Sequence, residues 1–182
     1  MRRSIHLVWI LAIVSMLGAC GSKEVTVQAA AKDATSIKTT IINMKGNKIG
    51  SAELSAVTEG VKIHLVADKL PPGMHGIHFH EVGLCEKPDF VSSGMHLNPL
   101  NKQHGFDNPQ GFHAGDLPNI QVGSDGKINV DIISKTVTLD KGKPNSLLRD
   151  QGVSLIIHEK SDDLLTDPSG NSGSRIACGV IK

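Results

Sequence analysis

The sequence predicts an all-β domain, an antiparallel sandwich or barrel, and three observations carry that reading. Short segments with a period of two follow one another from Ile37 onward. Turn-forming residues separate them at short intervals. No stretch of ten or more residues beyond the leader keeps a helical period. A length of 182 residues with 39% apolar side chains fits one domain. With 19 basic against 18 acidic residues there is no charge excess for a phosphate backbone, so nucleic acid is not an expected partner. Nine histidines beside no tyrosine are a skewed count that needs a reason.

The chain opens with Arg2 and Arg3, an apolar run from Leu7 to Leu17, and then Leu17-Gly18-Ala19-Cys20. A charged start, a short apolar stretch and small residues before a cysteine read as a lipoprotein signal over residues 1–19, with Cys20 lipidated at the start of the mature chain. The run is shorter than the roughly 20 residues that span a bilayer. The other readings are an ordinary cleavage site beside a free cysteine, or an uncleaved anchor helix. Residues 20–36 are small and polar and read as a flexible tether to a domain over 37–182. Export sets the cysteine arithmetic, because three is an odd number for a secreted chain. Lipidation of Cys20 leaves Cys85 and Cys178, 93 positions apart, as a disulfide in an oxidising compartment or as two buried free thiols. The expected location is outside the cytoplasm, anchored by lipid to the bacterial cell membrane.

The strands follow in order. TTIINM (39–44), KIGSAELSAV (48–57) and VKIHLVADKL (61–70) alternate, with turns at Lys45-Gly46-Asn47 and Thr58-Glu59-Gly60 that suit antiparallel hairpins. After Pro71-Pro72-Gly73 comes MHGIHFHE (74–81), then about 35 residues rich in Gly, Asn, Pro and His. A loop of that length inside a compact domain is usually functional. Strands resume at LPNIQV (117–122), KINVDIIS (127–134), TVTL (136–139) and VSLIIHE (153–159), and RIACGVI (175–181) ends the pattern.

The histidines now have places. His78 and His80 are two apart on a strand, so both rings share one face about 7 Å apart, a spacing that suits one metal. His96, His104 and His113 with Asp116 lie in the long loop, and three imidazoles with one carboxylate make a closed tetrahedral set for zinc. His158, at the end of a later strand, can return to complete a set with His78 and His80. An all-imidazole set suits copper, which cycles between two oxidation states where zinc does not. His75 is an odd number of residues from His78 and faces the other side of the strand, so it reads as structural. His64 reads as a surface or rim histidine without a partner nearby, and His6 departs with the leader.

The blocks GIHFHE (76–81), GMHLNP (94–99), HG (104–105), HAGDLPNI (113–120), IHEKSDD (157–163) and GNSGSRIACGVI (170–181) resemble copper/zinc superoxide dismutase, in family order along roughly 140 residues. The resemblance implies a Greek-key antiparallel β-sandwich or barrel of about eight strands with long metal-binding and electrostatic loops. It implies copper on His78, His80, His96 and His158 and zinc on His96, His104, His113 and Asp116, with His96 bridging the two. Asp162 would accept from His78 and His104 and fix how those rings present their nitrogens, and Arg175 would hold the superoxide anion by charge and hydrogen bond. The implied cycle oxidises one superoxide to oxygen as copper(II) is reduced, then reduces a second to hydrogen peroxide with two protons. One of those protons comes from the His96 ring as it alternates between bridging imidazolate and imidazole.

The chain departs from the familiar eukaryotic form in a short segment between His80 and Cys85 and a long one between Cys85 and His96, in the manner of the bacterial branch. Dimer contacts therefore do not transfer, and the oligomeric state stays open. Between Glu159 and Ser174 the only cation is Lys160, against Glu159, Asp162, Asp163 and Asp167, so lysine steering is weak and Arg175 carries more of the burden. Two rival classes are a copper and zinc scavenger without turnover, and a mononuclear zinc hydrolase. The hydrolase would need an open zinc position, which four loop ligands close.

Overall fold

Alternation becomes layering in β1 (Ser36–Asn43), β2 (Lys48–Val57) and β3 (Gly60–Ala67). The structure is a computed structural model that describes residues 36–182; the leader, Cys20 and most of the tether lie outside the described residues. On β3, Val61, Ile63, Leu65 and Ala67 enter the core while Lys62, His64 and Val66 face outward, the period of two expected of a half-buried strand. β4 (Gly73–His75), β5 (Ile77–His80), β6 (Ile120–Val122), β7 (Ile128–Ser134), β8 (Val153–His158) and β9 (Arg175–Ile181) complete the set. Seven strands form one antiparallel sheet in the order β5-β8-β9-β1-β2-β3-β7, and β4 pairs with β6 in a small second sheet. The neighbours β3 and β7, and likewise β5 and β8, are distant in sequence, so the chain returns to the sheet through long connections in the Greek-key manner. The all-β expectation holds.

One large apolar cluster runs from Ile41 and Leu54 through Phe79 to Leu155 and Ile181. β8 is buried at every position because both its faces are covered. Val153, Leu155 and Ile157 join the main core, while Ile156 turns the other way onto Phe90 and Cys178. That smaller cluster holds the segment before His96 against the sheet, and the Cys85–Cys178 disulfide, with its Cα atoms 5.8 Å apart, closes it covalently.

Several expected strands differ from what forms. The run 74–81 divides at Gly76 into β4 and β5, which belong to different sheets. Gly76 donates its N–H to the Lys160 carbonyl and accepts from the His158 N–H, so its backbone turns toward β8 at that point. A Cβ at Gly76 would press on Ser172, Asp162 and the His78 ring. Residues 136–139 form no strand: Val137 and Leu139 are buried, but Thr138 pairs with a return segment at Asn145 and Leu147. Hydrophobic alternation there reflects loop burial. β3 stops at Ala67 because Lys69 takes φ 58°, outside the strand region. β6 begins only at Ile120, after Pro118, which has no N–H to give a ladder.

Candidate metal centre

β5 turns Ile77 and Phe79 into the apolar core and carries His78 and His80 on its other face, and the loop 81–119 wraps along it. Phe79 N–H donates to Gly115 O at 2.8 Å, and Leu97 N–H donates to Phe79 O at 2.8 Å. This places His96 opposite His80 and Asp116 opposite His78 as isolated bridges. Position 115 has to be glycine, because a Cβ there would collide with the Phe79 carbonyl. β8 ends at His158, paired in register with Arg175, the first residue of β9.

Two donor groups result. The ligand atoms of His78, His80, His96 and His158 all lie within 4.8 Å of one another, and so do those of His96, His104, His113 and Asp116. All seven residues are buried. In the first group His78 Nδ1 and the Nε2 atoms of His80, His96 and His158 have no hydrogen-bond partner. Buried nitrogens in that state normally cost free energy, and four lone pairs converging on one point are what a soft-to-borderline cation would satisfy. In the second group Asp116 Oδ1 faces His96 Nδ1 at 2.9 Å, His104 Nδ1 at 3.2 Å and His113 Nδ1 at 3.3 Å. Its other oxygen accepts from the backbone N–H of Gly105 and of His113, each at 3.0 Å. Three nitrogens and one oxygen suit zinc, so both sets fit the metals expected of them.

The far nitrogens fix the tautomers. His80 Nδ1 donates to Gly94 O at 2.9 Å and His158 Nδ1 to Gly173 O at 3.1 Å. His78 Nε2 and His104 Nε2 donate to the Asp162 carboxylate at 2.7 and 3.0 Å. Each ring therefore turns its remaining lone pair inward. His96 differs, with Nδ1 toward the Asp116 group and Nε2 toward the other.

Burial lowers the His78 pKa to about 3 and that of His158 to about 4, against the pull of their acceptors. It also holds His80 well below its ordinary value and lowers His96. These rings are neutral at ordinary pH and free to ligate. For His104 burial acts in the same sense, but hydrogen bonds to Asp116 and Asp162 outweigh it and raise the pKa to about 9. Burial opposes ionisation of Asp116 and Asp162, yet the histidines they meet hold both carboxyls well below the usual range.

Arg175 donates through Nη1 to Phe90 O at 2.8 Å and to Ser93 Oγ at 3.0 Å, and through Nη2 to Gly94 O at 2.8 Å. Three of its N–H groups are tied down, which leaves one on Nη2 and the one on Nε. Its charge bears on His80 and His158, lowering both.

Every expected ligand thus falls into one of the two groups, Asp162 lies behind them, and Cys85 is bonded to Cys178. His75 stays outside both groups, its Nδ1 at 2.7 Å from His158 O and its Nε2 at 2.8 Å from Pro71 O. His64 does have a partner, Asp131 at 2.7 Å across the sheet. Three residues were not singled out from sequence. Asn119 clamps the Asp162 backbone with two 2.8 Å hydrogen bonds, Asp167 caps the His104 N–H at 2.7 Å, and Ser93 meets Arg175. Asn119 lies within the HAGDLPNI block, the one signal that could have found it.

Two donor sets that share a ring, on a Greek-key β-sheet, define a two-metal protein of the all-β class. The family model for copper/zinc superoxide dismutase matches residues 48–181. The chain is 50% identical over 143 residues to superoxide dismutase [Cu-Zn] 1 of Aquifex aeolicus, covering 78% of this chain and 85% of that one. A solved structure of a superoxide dismutase-like protein from Bacillus subtilis aligns with TM-score 0.78 at 47% identity, covering 80% of this chain and 97% of that one. The Cu/Zn superoxide dismutase of Brucella abortus aligns at 0.67 and 27% identity, over 81% and 99%. The chain belongs to the copper/zinc superoxide dismutase family, a family of oxidoreductases that use both metals.

Proposed function

We propose that this protein dismutes superoxide outside the cytoplasm, with copper held by His78, His80, His96 and His158 and zinc by His96, His104, His113 and Asp116. The observation that carries this reading is His96, the one ring among the described residues that belongs to both donor groups. Copper, when bound, supplies reversible one-electron exchange with superoxide, and zinc a fixed positive charge. Two superoxide anions and two protons give one oxygen and one hydrogen peroxide. His96 can take up and pass on one proton at Nε2, because that nitrogen has no competing hydrogen-bond partner. Arg175 offers the anion its two unshared N–H groups, and a planar charged fork holds a small oxyanion in a set orientation. Asp162 keeps the His78 and His104 rings turned so that their lone pairs face the metals.

The leader and the disulfide support export, since disulfides persist in oxidising compartments. Lipid on Cys20 then anchors the domain to the membrane. Metal analysis of the mature protein beside a superoxide-consumption assay tests the enzymatic reading. Full occupancy by both metals with no consumption above a metal-free control would leave a metal binder instead. Membrane fractionation of Cys20→Ser tests the anchor: the variant should leave the membrane or stay unprocessed while its domain remains active.

A further inference from the structure

Ser93 is fully buried beneath the Arg175 guanidinium. Its hydroxyl has one hydrogen, which goes to Phe90 O at 2.9 Å, and its lone pair receives Arg175 Nη1 at 3.0 Å. His80 Nδ1 is 3.4 Å away but lies closer to Gly94 O, at 2.9 Å. The Ser93 N–H also donates to Phe90 O, at 3.1 Å. Ser93 therefore receives one bond from Nη1 and, through two of its own groups, aims the carbonyl that receives the other. The remaining acceptors of Arg175 are backbone carbonyls, available whatever side chains the loop carries. Among the described residues Ser93 is the only side chain hydrogen-bonded to Arg175.

We infer that Ser93 is a positioning residue for anion capture, which holds the guanidinium so that its unshared Nη2 and Nε N–H groups are offered as a fixed pair to superoxide and other small anions. Without the hydroxyl, Nη1 keeps a single acceptor on a less constrained carbonyl, and the fork gains freedom that anion binding must remove. The inference rests on the reading of Arg175 as the anion-holding group.

Azide, a small anion, can be titrated into the copper- and zinc-loaded protein while the copper(II) absorption is followed. Ser93→Ala should weaken azide roughly 3- to 10-fold, the worth of one hydrogen bond at this half-open site, with copper and zinc contents unchanged. Arg175→Ala should weaken it further, and Ser93→Ala/Arg175→Ala no more than Arg175→Ala alone, because the serine acts through the arginine. An equal loss from Ser93→Ala in both backgrounds overturns the inference, and so does unchanged azide affinity in Ser93→Ala. Loss of copper from Ser93→Ala also overturns it, since the residue would then be structural. If Arg175→Ala itself leaves azide unaffected, the reading of Arg175 fails first and takes this one with it.

Discussion

Asp162 and His78 stand 84 positions apart in the chain and meet at 2.7 Å with their side chains sealed from solvent. The same carboxylate takes the His104 ring at 3.0 Å. One side chain from the loop 159–174 therefore backs a ligand in each donor group. Its position is set by Asn119 on both sides of its peptide and by Gly170, which lies so near the carboxylate that a Cβ would overlap it.

Asp162→Ala should weaken both metals together. Each ring loses the acceptor that fixes its tautomer, and such losses commonly cost 10- to 100-fold in metal affinity. Chelator competition, run for copper and for zinc, measures it. A loss confined to one metal would show that Asp162 serves only one ring.

His158 and His96 should separate cleanly. His158 belongs to the four-nitrogen group alone, so His158→Ala should spare zinc and cut turnover. His96 belongs to both, so His96→Ala should lower zinc affinity and uncouple the metals. Zinc added to copper-loaded protein should perturb the copper(II) spectrum in wild type and far less in His96→Ala. An unchanged spectrum in wild type would remove the bridge.

Cys85→Ser tests the clamp on the segment that carries Phe90, Ser93 and Gly94. Closing a loop of this length stabilises by roughly 4 to 5 kcal/mol in the chain-entropy model. The melting temperature should fall accordingly. Because that segment supplies all three acceptors of Arg175, superoxide turnover should fall by more than the copper content does. Turnover that tracks copper content would place the clamp's role in stability alone.

Acid should destabilise the metal-stripped domain well before its carboxylates titrate. Unfolded, His78 and His158 bind protons below their ordinary value of 6.5; folded, only below about 3 and about 4. From pH 6.5 down to about 4 the unfolded chain thus takes up more protons, and stability falls. His104 acts in the opposite sense, since a folded pKa of about 9 supports the fold below 6.5 and loses that support as pH rises through 9. Melting temperatures of the metal-free protein should therefore decline from pH 6.5 down to 4 and also from about 6.5 up to 9. A flat profile between pH 7 and 4.5 would contradict the burial of neutral rings.

Much of this was legible because strand and ligand obey the same period. Alternation marked β2, β3 and β7, and the spacing of His78 and His80 put two rings on one face. What alternation misses is backbone that changes partners, as at Gly76, where two carbonyl and amide contacts to the loop and β8 end one sheet and start another. It also misreads Val137 and Leu139, buried by a folded-back loop. Ser93 left no local trace, because its worth comes from Arg175, 82 positions away. The pairing of His64 with Asp131 likewise depends on the β3–β7 register, which no local pattern states.

β5 is one border of the large sheet, and the loop 81–119 is what covers it, with Phe79 giving and receiving a backbone hydrogen bond along its outer side. The loop is held there through His96 and Asp116, each opposite a histidine of the strand. Ions held by those residues would also fasten the cover. A copy stripped of them would keep only the backbone hydrogen bonds over a row of amides and carbonyls, the kind of border on which one chain can add to another strand by strand.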